Sequence, residues 1–169
     1  KVFWDKGMKY DAYGYYPYGA PSSIDGYGFS VQQDQSTPRE GGTPGGYEMS
    51  DFLWAKSEGV KYPDVVSLDF SHRMSRLVVK LVKGKDFSTE LPDDISVLVH
   101  GTVTDALIDL GNGAVEKRRN AVTHSITMRK DGPDTFSAII VPQRIEKKQP
   151  LIEVLTGDVS YLLETRFVF

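Results

Sequence analysis

The sequence contains no cysteine, so disulfides and thiolate metal sites are closed to it. It also lacks an excess of positive charge. Twenty Lys and Arg stand against 23 Asp and Glu, for a formal net charge of −3, which is not the basic footprint of a nucleic-acid binder. The densest basic run, Lys117-Arg118-Arg119, follows a Gly-Asn-Gly turn and reads as a solvated loop. No apolar run approaches the roughly 18 residues of a membrane-spanning helix. The first residues, KVFWDKGMKY, show none of the basic, apolar and cleavage regions of a secretory leader. Amphipathic helical periodicity of useful length is missing as well. Without a helix there is no glycine-rich loop to present a phosphate to a helix N-terminus.

What the chain has instead is alternation of period two. In VVSLDF, Val66, Leu68 and Phe70 share one face. In RLVVKLV, Leu77, Val79 and Leu81 alternate with Arg76, Val78 and Lys80. In VTHSITM, Val122, His124, Ile126 and Met128 lie opposite Thr123, Ser125 and Thr127. Such faces belong to half-buried antiparallel strands. TFSAIIVP is apolar on both faces, as a central strand is, and Pro142 ends it.

Turn chemistry agrees. Asp131-Gly132, Gly157-Asp158 and Asn112-Gly113 each separate two strand-like runs and tolerate positive φ, which predicts three hairpins. About nine short strands at close spacing over 169 residues predict one all-β domain, an antiparallel β-sandwich. Two stretches break the pattern. Residues 32–46, QQDQSTPREGGTPGG, read as a mobile polar loop in which Arg39 is open to a trypsin-like protease. Residues 71–76, SHRMSR, read as a single helical turn capped by Ser71.

Catalytic signatures are sparse. His72, His100 and His124 fall in separate elements without ligand-like neighbours. His124 reads as a hydrogen-bonded core histidine, and His72 as a structural contact. Asp93-Asp94 after Pro92 is ordinary turn chemistry. No Ca²⁺ loop pattern and no Gly-x-Ser-x-Gly elbow occurs. The reading is therefore of a protein that is not an enzyme and that uses no cofactor or metal. The aromatic residues are the other candidates. DAYGYYPYGAP holds four tyrosines beside two prolines. Its rings either pack a core or, with others, form a platform for a carbohydrate or host ligand. The candidate contacts are Tyr13, Tyr15, Tyr18, Tyr27 and Trp54.

Several stretches together resemble the fimbrillin-like family of Bacteroides-type surface proteins. They are Tyr15-Tyr16-Pro17-Tyr18, then Ser50-Asp51-Phe52-Leu53-Trp54-Ala55, then Phe70-Ser71-His72-Arg73-Met74-Ser75-Arg76-Leu77. FSAIIVPQ, from Phe136 to Gln143, extends the resemblance. Each motif is weak alone, and their order and spacing make the match specific over most of the chain. The resemblance implies an all-β, transthyretin-like antiparallel β-sandwich with one short helical turn. It implies that residues 1–169 are the N-terminal domain of a two-domain protein, exported as a lipoprotein to the outer membrane. It implies a structural subunit or adhesin of a cell-surface fimbria, whose partners are other subunits joined by strand exchange. Tyr-Pro-Tyr and SHRMSR then become framework elements. The family's lipidated cysteine and first strands are not present ahead of Lys1, and the chain stops at Phe169 within an alternating strand, so a fragment or processed chain is expected.

Overall fold

The structure, a computed structural model, describes residues 4–85 and 90–166. Lys1 and the last residues of the expected final strand, Phe167 to Phe169, lie outside the described residues. In chain order the elements begin with β1 (Lys9–Tyr16), β2 (Tyr27–Ser30), α1 (Gly46–Ser50), β3 (Leu53–Lys61), β4 (Ser71–His72) and β5 (Ser75–Lys80). Next come β6 (Ser96–Val103), β7 (Asp105–Asp109), β8 (Ala114–Lys117) and β9 (Thr123–Thr127). The last are β10 (Arg129–Lys130), β11 (Thr135–Ile140), β12 (Pro150–Thr156) and β13 (Val159–Glu164).

All of the strand ladders are antiparallel. Among the described residues four sheets result, with orders β1-β3-β4, β10-β11-β5, β13-β12-β6-β9 and β2-β7-β8. The three expected hairpins are present as β7–β8, β10–β11 and β12–β13. No helix among the described residues is long and apolar enough to cross a membrane.

The main core lies between the β10-β11-β5 sheet and the four-stranded sheet. Phe136, Ala138 and Ile140 of β11 meet Val97 and Val99 of β6, Ile126 of β9 and Ile152 of β12. Burial in β5 and β6 follows the period-two pattern, since alternate residues of a strand share a face, whereas β11 is buried on both faces. A second, aromatic cluster is built on Phe52, Ile108 and Leu110, with Tyr15, Tyr27 and Trp54 packed against it. The Tyr15 and Phe52 rings stack with centroids 6.1 Å apart, and Phe29 meets Phe52 edge-on at 5.0 Å.

Three local expectations need correction. SHRMSR is not helical: Ser71 and His72 pair with Trp54 and Leu53, and the Ser71 hydroxyl donates to the Trp54 carbonyl. Ladder hydrogen bonds to β3 thus take the place of the helical turn. The short helix forms instead at Gly46–Ser50, where Gly45 and Gly46 let the turn press against the backbone of residues 34–38. VVSLDF joins no ladder. Its alternation is real, but Leu68 and Phe70 lie across Gly14 of β1, where a β-carbon would stand 3.0 Å and 2.8 Å from them.

Residues 32–46 are likewise not a free loop at their start. The Gln33 carbonyl accepts from Thr127 N–H at 2.7 Å, and Gln35 N–H donates to the Thr127 carbonyl at 2.9 Å. Gln35, which the sequence places in a polar stretch, is 0% exposed.

Candidate functional site

Every sheet has edges, and an unpaired edge presents N–H and C=O groups that other chains can bind. Some ladders of this protein are finished from within. Residues 33–35 cover the outer side of β9. The two-residue β10 stops short of Ile139, and the Gln35 side chain takes over there. Its Nε2 donates to the Ile139 carbonyl at 2.7 Å, and Ile139 N–H donates to its Oε1 at 2.8 Å. Gln143 does the same at Val103, donating to the carbonyl and accepting from the N–H, both at 3.0 Å. A primary amide has the donor and acceptor spacing of a peptide, so each glutamine stands in for one residue of a missing strand. Nothing in the local sequence marks either one. Their partners lie 104 and 40 residues away.

One region is left open. β5 ends its sheet, and among the described residues no strand pairs with its far side. β13 ends the facing sheet. Leu163 is paired with the core residue Ile152, and Tyr161 with Val154, so both rows point toward the interior. Yet Tyr161 is 52% and Leu163 58% exposed, because the opposite sheet stops at β5. Between them runs a groove of about 410 Å³. Leu77, Val78, Val79, Leu151, Ile152 and Leu163 line it, together with Glu164, Thr165 and Arg166. Its surface is largely apolar, and it runs beside β5.

The outward face of β5 is cationic. Arg76 approaches Asp131 at 3.2 Å, and Lys80 stands 4.0 Å from Asp134. Asp131 is shared, since Arg129 Nε also reaches it at 2.8 Å. Burial pushes the Asp131 carboxyl upward, but the Ser137 hydroxyl and the Arg129 and Arg76 guanidinium groups outweigh it and hold its pKa below the ordinary aspartate value. The Ser137 hydroxyl has no partner at hydrogen-bonding geometry, so the two guanidinium groups are the firmer cause.

The aromatic candidates separate into two sets. Tyr15, Tyr27 and Trp54 belong to the second core cluster. The Tyr15 hydroxyl donates to the Gly19 carbonyl at 2.5 Å, and Trp54 Nε1 donates to the Leu110 carbonyl at 2.7 Å. The Arg73 guanidinium lies 4.5 Å from the Trp54 ring centroid. Tyr13 and Tyr18 are exposed, Tyr18 at 91%, and Lys56 sits over the Tyr13 ring at 5.2 Å. The five rings therefore do not make one platform. Arg39 is exposed, near Arg129 and Lys130 across a cavity of about 480 Å³.

Two of the histidines meet carboxylates. Exposed His72 contacts Asp51 at 2.8 Å through Nδ1, joining the end of β4 to the residue that follows α1. His100 contacts Ser125 Oγ through Nδ1 and Glu153 through Nε2, both at 2.7 Å, and the Ser160 hydroxyl donates to Glu153 at 2.5 Å. His100 comes from β6, Ser125 from β9, Glu153 from β12 and Ser160 from β13. They form a polar belt across the sheet's outer face, and the hydrogen bonds from Ser160 and His100 lower the Glu153 pKa. His124 is half-buried, and its carbonyl accepts from the Thr102 hydroxyl at 3.4 Å. Among the described residues no group of three or more acidic or histidine side chains is placed to hold a metal ion.

A closed aromatic core, internally capped ladders and one open apolar edge define an all-β domain whose distinctive surface is a sheet edge and not an enclosed cleft. The chain belongs to the fimbrillin-like family, whose model matches residues 1–167. Its fold is similar to three crystal structures of candidate cell-adhesion proteins. The one from Bacteroides ovatus is 20% identical with a TM-score of 0.71, over 95% of this chain and 58% of that one. The Bacteroides thetaiotaomicron protein is 18% identical with a TM-score of 0.59, over 94% and 59% of the two chains. The Bacteroides uniformis protein is 19% identical with a TM-score of 0.63, over 90% and 56%. The chain thus spans less than three-fifths of the length of each. No curated protein matches the sequence.

Proposed function

We propose that this domain is part of a structural subunit or adhesin of a bacterial cell-surface fimbria, and that it assembles by β-strand addition. The observation that supports the reading is the apolar groove between β5 and β13, two strands that end their sheets. An extended segment from a neighbouring subunit entering there gains main-chain hydrogen bonds along β5 and buries alternate apolar side chains against Leu77, Val79 and Leu163. Family membership and the likeness to candidate cell-adhesion proteins support the surface role. In this reading residues 1–169 make a single transthyretin-like sandwich, the N-terminal domain of two, held at the outer membrane through a lipid anchor outside this chain. The domain has no catalytic role. Exposed Arg39 is the proposed point of entry for a trypsin-like protease.

The test is negative-stain electron microscopy of the full-length protein carrying this domain, before and after mild trypsin treatment. Filaments that form only after cleavage support strand exchange between subunits. Particles that stay single, with the fold intact by circular dichroism, reject it. They would direct attention to a second reading, favoured by the exposure of Tyr18 and Tyr13, in which these rings contact a carbohydrate or host ligand. Loss of glycan-array binding on Tyr18→Ala would support that alternative.

A further inference from the structure

The open edge also has a charge pattern. A strand that pairs with the free side of β5 must follow its pleat, so its side chains alternate between the groove and the outer face. Inward side chains fall beside Leu77 and Val79. Outward side chains fall beside Arg76, Val78 and Lys80, in that order. Arg76 is 56% and Lys80 69% exposed at the side chain. Both touch acids of the β10–β11 hairpin, Arg76 sharing Asp131 with Arg129 and Lys80 reaching Asp134 at 4.0 Å, and each keeps further N–H donors for a second carboxylate. Across a strand pair, directly opposite side chains interact, and opposite charges are favourable while like charges repel.

We propose that this groove selects an acidic strand, a segment whose inward residues are apolar and whose two outward carboxylates, four residues apart, face Arg76 and Lys80 with an uncharged residue over Val78. The inference rests on the strand-addition reading and adds partner selection to it. The groove supplies the affinity through apolar burial and main-chain hydrogen bonds. The two cations set which segment is accepted, and in which register, because a shift of two residues moves a carboxylate over Val78.

The test uses the 169-residue chain and three labelled heptapeptides with valine at positions one, three, five and seven and threonine at position four. Positions two and six are both Glu, both Gln or both Lys. Binding is followed by fluorescence anisotropy in low salt and again in 1 M NaCl. The Glu peptide is expected to bind roughly tenfold more tightly than the Lys peptide, in line with two exposed ion pairs, and salt should compress the difference. In the double variant Arg76→Glu, Lys80→Glu the order should reverse. The single variant Lys80→Glu, which leaves the Arg76–Asp131 pair in place, should narrow the preference if the double variant does not fold. Equal binding of the three peptides overturns charge selection and leaves the groove reading standing. Binding of none of them, with the chain folded, removes the groove reading and this inference together.

Discussion

Two kinds of sheet edge coexist in this molecule. At Ile139 and Val103 the ladders run out of strand and are finished by Gln35 and Gln143, whose amides satisfy both backbone groups. At β5 and β13 the ladders run out and, among the described residues, no strand finishes them. The first kind sits over the main core, where an unpaired N–H or C=O has no water to turn to. The second kind sits where the interior opens to solvent, so its backbone groups are hydrated and only the apolar side chains are left uncovered. The same fold therefore treats one missing strand as a defect to be repaired and another as a surface.

That contrast has measurable edges. Gln35→Leu should be the most damaging change, because it leaves the buried N–H and C=O of Ile139 unpaired. The expected loss is about 3 kcal/mol, read from the midpoint of urea unfolding. A loss below about 0.5 kcal/mol would show that water reaches Ile139 and that the edge is not closed at all. Gly113→Ala tests the rigidity of the aromatic cluster. Gly113 has φ +74°, and a β-carbon there would stand 2.7 Å from the Trp54 ring and 2.9 Å from Arg73 Nε. About 2 kcal/mol should be lost, with a change in tryptophan fluorescence.

The Asp131 pair gives a pH dependence. Its folded pKa lies below the ordinary aspartate value of 3.8, so the ionised form is the one the fold favours. The stability it contributes is present in full above that value and is lost as pH falls through the lower, folded value. Asp131→Asn should therefore flatten the acid limb of a stability-against-pH profile, and an unchanged limb would assign acid sensitivity elsewhere. The smallest effect on folding is expected at the open edge. Leu163→Ser, at a residue 58% exposed, should change stability by less than about 0.5 kcal/mol while weakening binding of the Glu peptide. A large loss of stability with no change in binding would mean that Leu163 belongs to the closed core, and the comparison would fail.

The alternating faces of β5 and β9 were legible because a strand's pleat imposes its period on neighbouring residues, and β11 was legible as a central strand because it is apolar on both faces. Three hairpins were legible because Asn-Gly, Asp-Gly and Gly-Asp relieve a local steric constraint. The family resemblance was carried by short motifs in order, and those motifs fall in or beside β1, β3, β4, β5 and β11. Other features could not be read this way. VVSLDF has strand periodicity, yet it lies over Gly14 and pairs with nothing, since alternation records which side is covered and not what covers it. SHRMSR looked too polar for a strand because its partners in β3 were out of view. Gln35 looked like loop because its function is defined by Ile139.

By itself, then, the sequence determined the class of structure, the turns and the alternating faces of β5 and β9, all of which are settled by interactions over a few residues. Only the tertiary structure decided which edges are closed and which is open. An edge is a property of two strands brought together from distant parts of the chain, and whether a third is missing beside them depends on how far the opposite sheet extends.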